Sequence, residues 1–162
     1  KSTATNRWAG TNFFAGSGKW YWETLITGSP TAADVFFGIS MLSPLSGTQH
    51  SASNRLWRGN QQYFSGGGDG RGDGAGPTSN IANGSVVGIA WDAFNGYVWV
   101  SLDGDWNDND PEGGTLYVFY HTPSALWRPV FATSSDNSSY TLRIRGAGQT
   151  QYPVPAGFTA IP

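Results

Sequence analysis

The sequence predicts an all-β domain, a two-sheet antiparallel sandwich, on three observations. Glycine is abundant, at 23 of 162 residues, and aromatics make up 15%. Aromatic and β-branched side chains fit a pleated, half-buried surface, and glycine serves tight turns. Good helix formers are scarce: there is one Met, and the only glutamates are Glu23 and Glu112. Finally, short apolar or alternating runs are separated by turn residues, the pattern of a sandwich or barrel. The length fits one domain over residues 1–162 with one core.

The elements follow in order. Trp20 to Thr27 reads as a strand, with Trp20, Trp22 and Ile26 on one side and Tyr21, Glu23 and Leu25 on the other. Gly28-Ser29-Pro30 stops it. Val35 to Ser40 is a second strand. Met41 to Asn80 reads as long and mostly irregular, with a Gly-rich run from Gly66 to Gly76. Loops of that length are usually functional or disordered. Ser85 to Trp91 and Tyr97 to Leu102 form a hairpin in which Asn95-Gly96 supplies positive φ. A polar, acidic loop runs from Asp103 to Gly114. Leu116 to Tyr120, Arg128 to Thr133 and Ser139 to Arg145 complete the strands, and the last alternates one buried and one wet face. Pro153 and Pro155 hold the tail extended. No helix is expected.

Composition excludes several function classes. The formal net charge is −2 and the arginines are scattered, so nucleic acid is not an expected partner. There is no Cys, hence no disulfide framework and no thiolate metal site. No apolar run approaches the ~20 residues that span a bilayer, so membrane insertion is not expected. The chain opens on Lys1 without a basic, apolar leader, as expected of a processed chain or a piece of a longer one.

Several stretches together resemble the SPRY domain. These are Gly18-Lys19-Trp20-Tyr21-Trp22-Glu23, Phe37-Gly38-Ile39-Ser40, Val87-Gly88-Ile89-Ala90-Trp91-Asp92, Gly96 to Gly104, and Arg128-Pro129-Val130-Phe131. Asp103 stands where the family usually has Asn. The Trp106 to Gly113 stretch and the ending Pro155 to Ile161 are similar to SPRY proteins of tailed phages. The likeness runs from about Gly18 to Ile161 and is thin between Met41 and Asn80. It implies a concanavalin-A-like jelly roll and a non-catalytic binding module on a virion fibre, tail or capsid, at the virion surface or outside the cell. The implied partners are a host-surface glycan or protein and other virion subunits. An intracellular protein–protein interaction domain and a purely structural virion contact are the alternatives.

Site residues follow from loop chemistry. Loops on a rigid scaffold are free to bind, and loop aromatics stack on sugars or anchor interfaces. Trp57, Tyr63, Phe64 and Trp106, with Arg58, Arg71 and Asn107 as polar contacts, are the expected ligand-binding set. Asp103, Asp105, Asp108 and Asp110 form a candidate Ca²⁺ site, although the register is not that of an EF-hand. No cofactor other than Ca²⁺ is expected. Gly16-Ser17-Gly18-Lys19 is followed by Trp20 rather than Ser or Thr, which argues against a phosphate loop. Arg71-Gly72-Asp73 reads as a flexible connector. Catalysis is not expected: no nucleophile elbow accompanies His50 or His121. Glu23 and Glu112 lack the strand signature of a glycosidase pair.

Overall fold

β2 (Lys19–Gly28) organises the molecule, because both of its faces are covered. The structure, a computed structural model, describes residues 7–28, 30–31, 34–41, 53–61, 63–65, 74, 76–121, 123, 125–133 and 140–162. β2 pairs antiparallel with β6 (Val86–Asp92) on one side and β10 (Tyr140–Arg145) on the other. β6 continues to β7 (Tyr97–Leu102) and β7 to the short β8 (Phe119–Tyr120). β11 (Thr159–Ala160) joins β2 in parallel beside Trp20 and Tyr21, completing a six-stranded sheet. The second sheet has five strands, in the order β1 (Arg7–Gly10), β9 (Arg128–Thr133), β3 (Val35–Ser40), β4 (Asn54–Arg58) and β5 (Tyr63–Ser65).

The register decides what enters the core. Trp22, Ile89 and Val100 lie side by side across three strands on the inner face, and Phe37 and Trp57 face them from the second sheet. Trp22 meets Trp91 edge-on at 6.4 Å. Aromatic pairs in this arrangement add to the energy of burial. Tyr140, Leu142 and Ile144 of β10 pack against the same core while Thr141 and Arg143 stay exposed, as the alternation predicted.

The β6–β7 hairpin forms where expected, but its turn is longer than a two-residue Asn-Gly turn. Asp92 Oδ1 accepts hydrogen bonds from Phe94 N (3.0 Å) and Asn95 N (2.9 Å), and Gly96 N donates to the Asp92 carbonyl. Gly96 alone is left-handed (φ 81°), and a Cβ there would run into the His121 carbonyl oxygen.

Two strands depart from the expected set. Within residues 41–80 the structure places β4 and β5, which the sequence reading did not single out and which extend the second sheet. Both strands are short and flanked by glycines, so they carry little alternation of their own. The expected strand from Leu116 shrinks to Phe119–Tyr120, because Leu116 is left-handed (φ 50°) and breaks the extended run.

Candidate functional site

The outer face of the six-stranded sheet is not wet. Tyr21, Ala90 and Trp99 share one cross-strand row there and are buried with Phe158. Trp106, Tyr117 and Val154 pack onto them, so the acidic loop and the C-terminal segment lie over the sheet. Glu23 holds this layer from below. It is fully buried, and its Oε1 accepts from the Tyr21 hydroxyl (2.9 Å) and Tyr152 N (2.8 Å), its Oε2 from Gln151 N (2.6 Å). A buried carboxylate needs such donors. Burial, reinforced by the neighbouring Glu23 carboxylate, pushes the Tyr21 phenol far above its ordinary range.

From this layer the acidic loop projects as a chain of tight turns. Asp103 (φ 53°) and Gly104 (φ 82°) form a two-residue turn closed by paired bonds between Leu102 and Asp105, both 3.0 Å. Asn107 (φ 49°) and Asp108 (φ 63°) form a second, closed by Asn109 N to the Trp106 carbonyl. Asn and Asp tolerate the left-handed region better than other side chains.

Most carboxylates of the loop are committed to these turns. Asp103 accepts from Val86 N (2.7 Å) and the Ser85 hydroxyl (3.3 Å). Asp105 Oδ1 accepts from Asn107 N, Asp110 Oδ1 from Gly113 N, and Glu112 Oε1 from Ala156 N. Among the described residues no three acidic or histidine side chains converge as a metal site would require. Of the expected Ca²⁺ set, Asp103, Asp105 and Asp110 each accept a backbone hydrogen bond from the turns or the neighbouring strand.

Beside these turns lies a cavity of about 250 Å³, lined by Pro77, Thr78, Ser79, Leu102, Asp103, Asp105 and Asn107. Asn107 Nδ2 donates to the Gly76 carbonyl (2.7 Å) and Gly74 N to the Tyr117 carbonyl (2.9 Å), which moors residues 74–79 against the acidic loop. Thr78 and Ser79 supply exposed hydroxyls; among the described residues, Asp105 Oδ2 carries no hydrogen bond. The cavity thus offers acceptors and donors around an apolar strip of Pro77 and Leu102.

The two segments expected to recognise a ligand do meet here, but through other residues than expected. Trp57 is fully buried in the core, tilted against Phe37 at 6.1 Å, so it has no surface for a ligand. Its position in a strand facing the opposite sheet is the reason. Arg58 lays its guanidinium over Phe36, 5.3 Å from the ring, on the five-stranded sheet. Tyr63 and Phe64 form part of β5; their side chains, like Arg71, lie outside the described residues. Trp106 is half-buried against Tyr21 at 6.3 Å. Asn107 alone of the expected ligand set lines the cavity, joined by Asp103 and Asp105 from the expected metal set. Pro77, Thr78, Ser79 and Leu102 were missed. Pro-Thr-Ser after a Gly-rich run marks a turn, but nothing local marks its neighbour across the sheet.

His121, weighed for a catalytic triad, is buried with its Nε2 accepting from the Trp91 indole (2.8 Å). Both glutamates hold backbone amides of the 151–156 segment rather than facing one another across a cleft.

No protein-family model matches the chain, and no curated protein matches it. Among solved structures it is similar to the SPRY domain of human HERC1, with 14% identity and a TM-score of 0.65. The match covers 91% of this chain and 87% of that one. The fold is therefore an SPRY-like β-sandwich of two sheets.

Proposed function

We propose that this domain is a non-catalytic binding module of a virion surface protein, and that a host-surface glycan occupies the cavity beside the acidic turns. The observation that carries the reading is the lining itself. Carboxylate, amide and hydroxyl groups converge on one apolar strip, and small-molecule sites are concave with a few placed polar groups. A sugar ring presents both hydroxyls and an apolar C–H face. The viral setting and contacts with other virion subunits rest on the sequence likeness at Trp106 to Gly113 and Pro155 to Ile161. Fold likeness by itself leaves function open.

A glycan array followed by titration of the best hit tests this. Asp105→Ala and Asn107→Ala are expected to weaken binding at least about tenfold, roughly 1.4 kcal/mol. The Asp105 variant should keep the wild-type melting temperature. Absence of any glycan binding, or wild-type binding by both variants, would overturn the reading. A second reading is a protein ligand that inserts a Lys or Arg side chain, favoured by the unengaged Asp105 oxygen. It predicts steep weakening of binding with salt.

A further inference from the structure

Asn-Gly occurs twice in the chain, at Asn83-Gly84 and Asn95-Gly96. It is the dipeptide in which an asparagine loses its side-chain amide most readily. Glycine has no Cβ to hold its backbone nitrogen away from the preceding side chain, and the ring closure is intramolecular. Both asparagines are exposed and both lie in tight turns. Both glycine amides are also tied: Gly84 N donates to the Ile26 carbonyl and Gly96 N to the Asp92 carbonyl, each at 2.8 Å. The attacking nitrogens are thus alike, and the two sites differ in what holds the asparagine amide.

Asn83 is held by its oxygen. Oδ1 accepts from the backbone N of Gly28, the last residue of β2, at 2.8 Å. Attack on the side-chain carbon moves negative charge onto that oxygen, and a fixed N–H donor stabilises an oxyanion formed there. Asn95 is held by its nitrogen. Nδ2 donates to Asp92 Oδ2 (2.8 Å), while Asn95 N donates to Asp92 Oδ1 (2.9 Å). A carboxylate so close repels the negative charge that develops on the attacking nitrogen and on the amide oxygen. Lys19 answers Asp92 from 3.7 Å, too far to cancel a contact of 2.8 Å.

We propose that Asn83 is a site of spontaneous deamidation in the folded protein, and that Asn95, followed by the same residue, is spared. Gly84 N gives up its proton and bonds to the side-chain carbonyl carbon of Asn83. The bond from that carbon to Nδ2 breaks, and the nitrogen leaves with the proton as ammonia. The cyclic imide then takes up one water, which opens it at one carbonyl to aspartate or at the other to isoaspartate. Either product adds a negative charge to a chain whose formal charge is −2.

Isoaspartate also lengthens the main chain inside the turn that delivers Ser85 to β6. Ser85 N donates to the Ala82 carbonyl (3.2 Å), the Ser85 carbonyl accepts from Ile26 N (2.9 Å), and the Ser85 hydroxyl donates to Asp103 (3.3 Å). The isoaspartate form therefore loosens the link between β2 and the Asp103 turn. The inference is independent of what the cavity binds.

Incubation of the folded chain at mildly alkaline pH and body temperature, followed by peptide mapping, tests this. A cut after Trp91 puts the two asparagines on separate fragments. The Asn83 fragment is expected to become about 1 Da heavier at least about fivefold faster than the Asn95 fragment, a small share of the ~10²–10³ of an enzyme's oxyanion donor. In urea, where both dipeptides are free of their partners, the two rates should be equal. Asn83→Gln should remove the earliest acidic form on isoelectric focusing. Asp92→Asn, which takes away the carboxylate, should bring the Asn95 rate up toward that of Asn83. If a thermal melt shows that variant to be unfolded, the comparison of the folded wild-type chain with the same chain in urea decides. Reaction at Asn95 as fast as at Asn83 in the folded chain would overturn the proposal. So would an inert Asn83 over a period in which the chain in urea converts fully. A ratio that is the same folded and in urea would place the difference in the neighbouring sequence and overturn it too.

Discussion

Glu23 is a carboxylate with no exposure, in the middle of a strand, and its neighbours explain it. Its oxygens receive one hydroxyl and two backbone amides, so the charge is answered by donors fixed in place. Gly88, its cross-strand neighbour, has no room for a side chain, because a Cβ would strike the Ser101 hydroxyl. The raised Tyr21 phenol gives this cluster a pH signature. The native state keeps that proton to higher pH than the unfolded chain, whose phenol titrates near 10. Above that pH the folded state binds more protons, so the contribution is fully present below pH 10 and is lost as pH rises further. The melting temperature is expected to fall steeply above pH 10, and less steeply in Tyr21→Phe. Parallel slopes for the two proteins in thermal melts would contradict this.

Among the elements, the turn between β7 and the acidic loop shows most clearly what a carboxylate can do besides bind metal. Asp103 adopts a left-handed backbone and anchors Val86 N and the Ser85 hydroxyl, joining the end of β7 to the start of β6. Asp103→Ala should cost about 1–3 kcal/mol, the usual cost of stranding buried donors. Asp103→Asn should cost much less, because an amide oxygen accepts the same bond and Asn tolerates the same φ. Urea midpoints with unchanged slopes would measure both. Equal losses for Ala and Asn would mean that the charge, not the turn, matters.

The whole molecule is three layers of side chains around two sheets, since aromatic clusters cover both outer faces as well as the interior. The C-terminal segment belongs to two of them. Ile161 enters the central core while Phe158 and Val154 close over Tyr21 and Trp99. A chain ending at Arg145 should lose its cooperative thermal transition, because Glu23 would be left with fewer donors and the outer cluster open to water. A truncated protein that melts within a few degrees of the intact one would show the segment to be an appendage. Trp99→Ala, which empties the middle of that cluster, should cost about 3–5 kcal/mol by chemical denaturation.

The sequence by itself determined the fold class and most strands, since alternation and turn residues are local properties. The Val35–Ser40, Tyr97–Leu102 and Arg128–Thr133 bounds stand as read. It also pointed to the acidic loop as distinctive, and Asn107 lines the cavity there. Only the tertiary structure decided which way each aromatic faces. Trp57 and Trp106 look alike in sequence, yet one is a core residue opposite Phe37 and the other half of a cap on Tyr21. It likewise decided that Pro77 to Ser79 lie against Leu102 to Asn107. These are pairings across long sequence separations, set by strand register, and a register shift of one residue reverses every side chain on a strand.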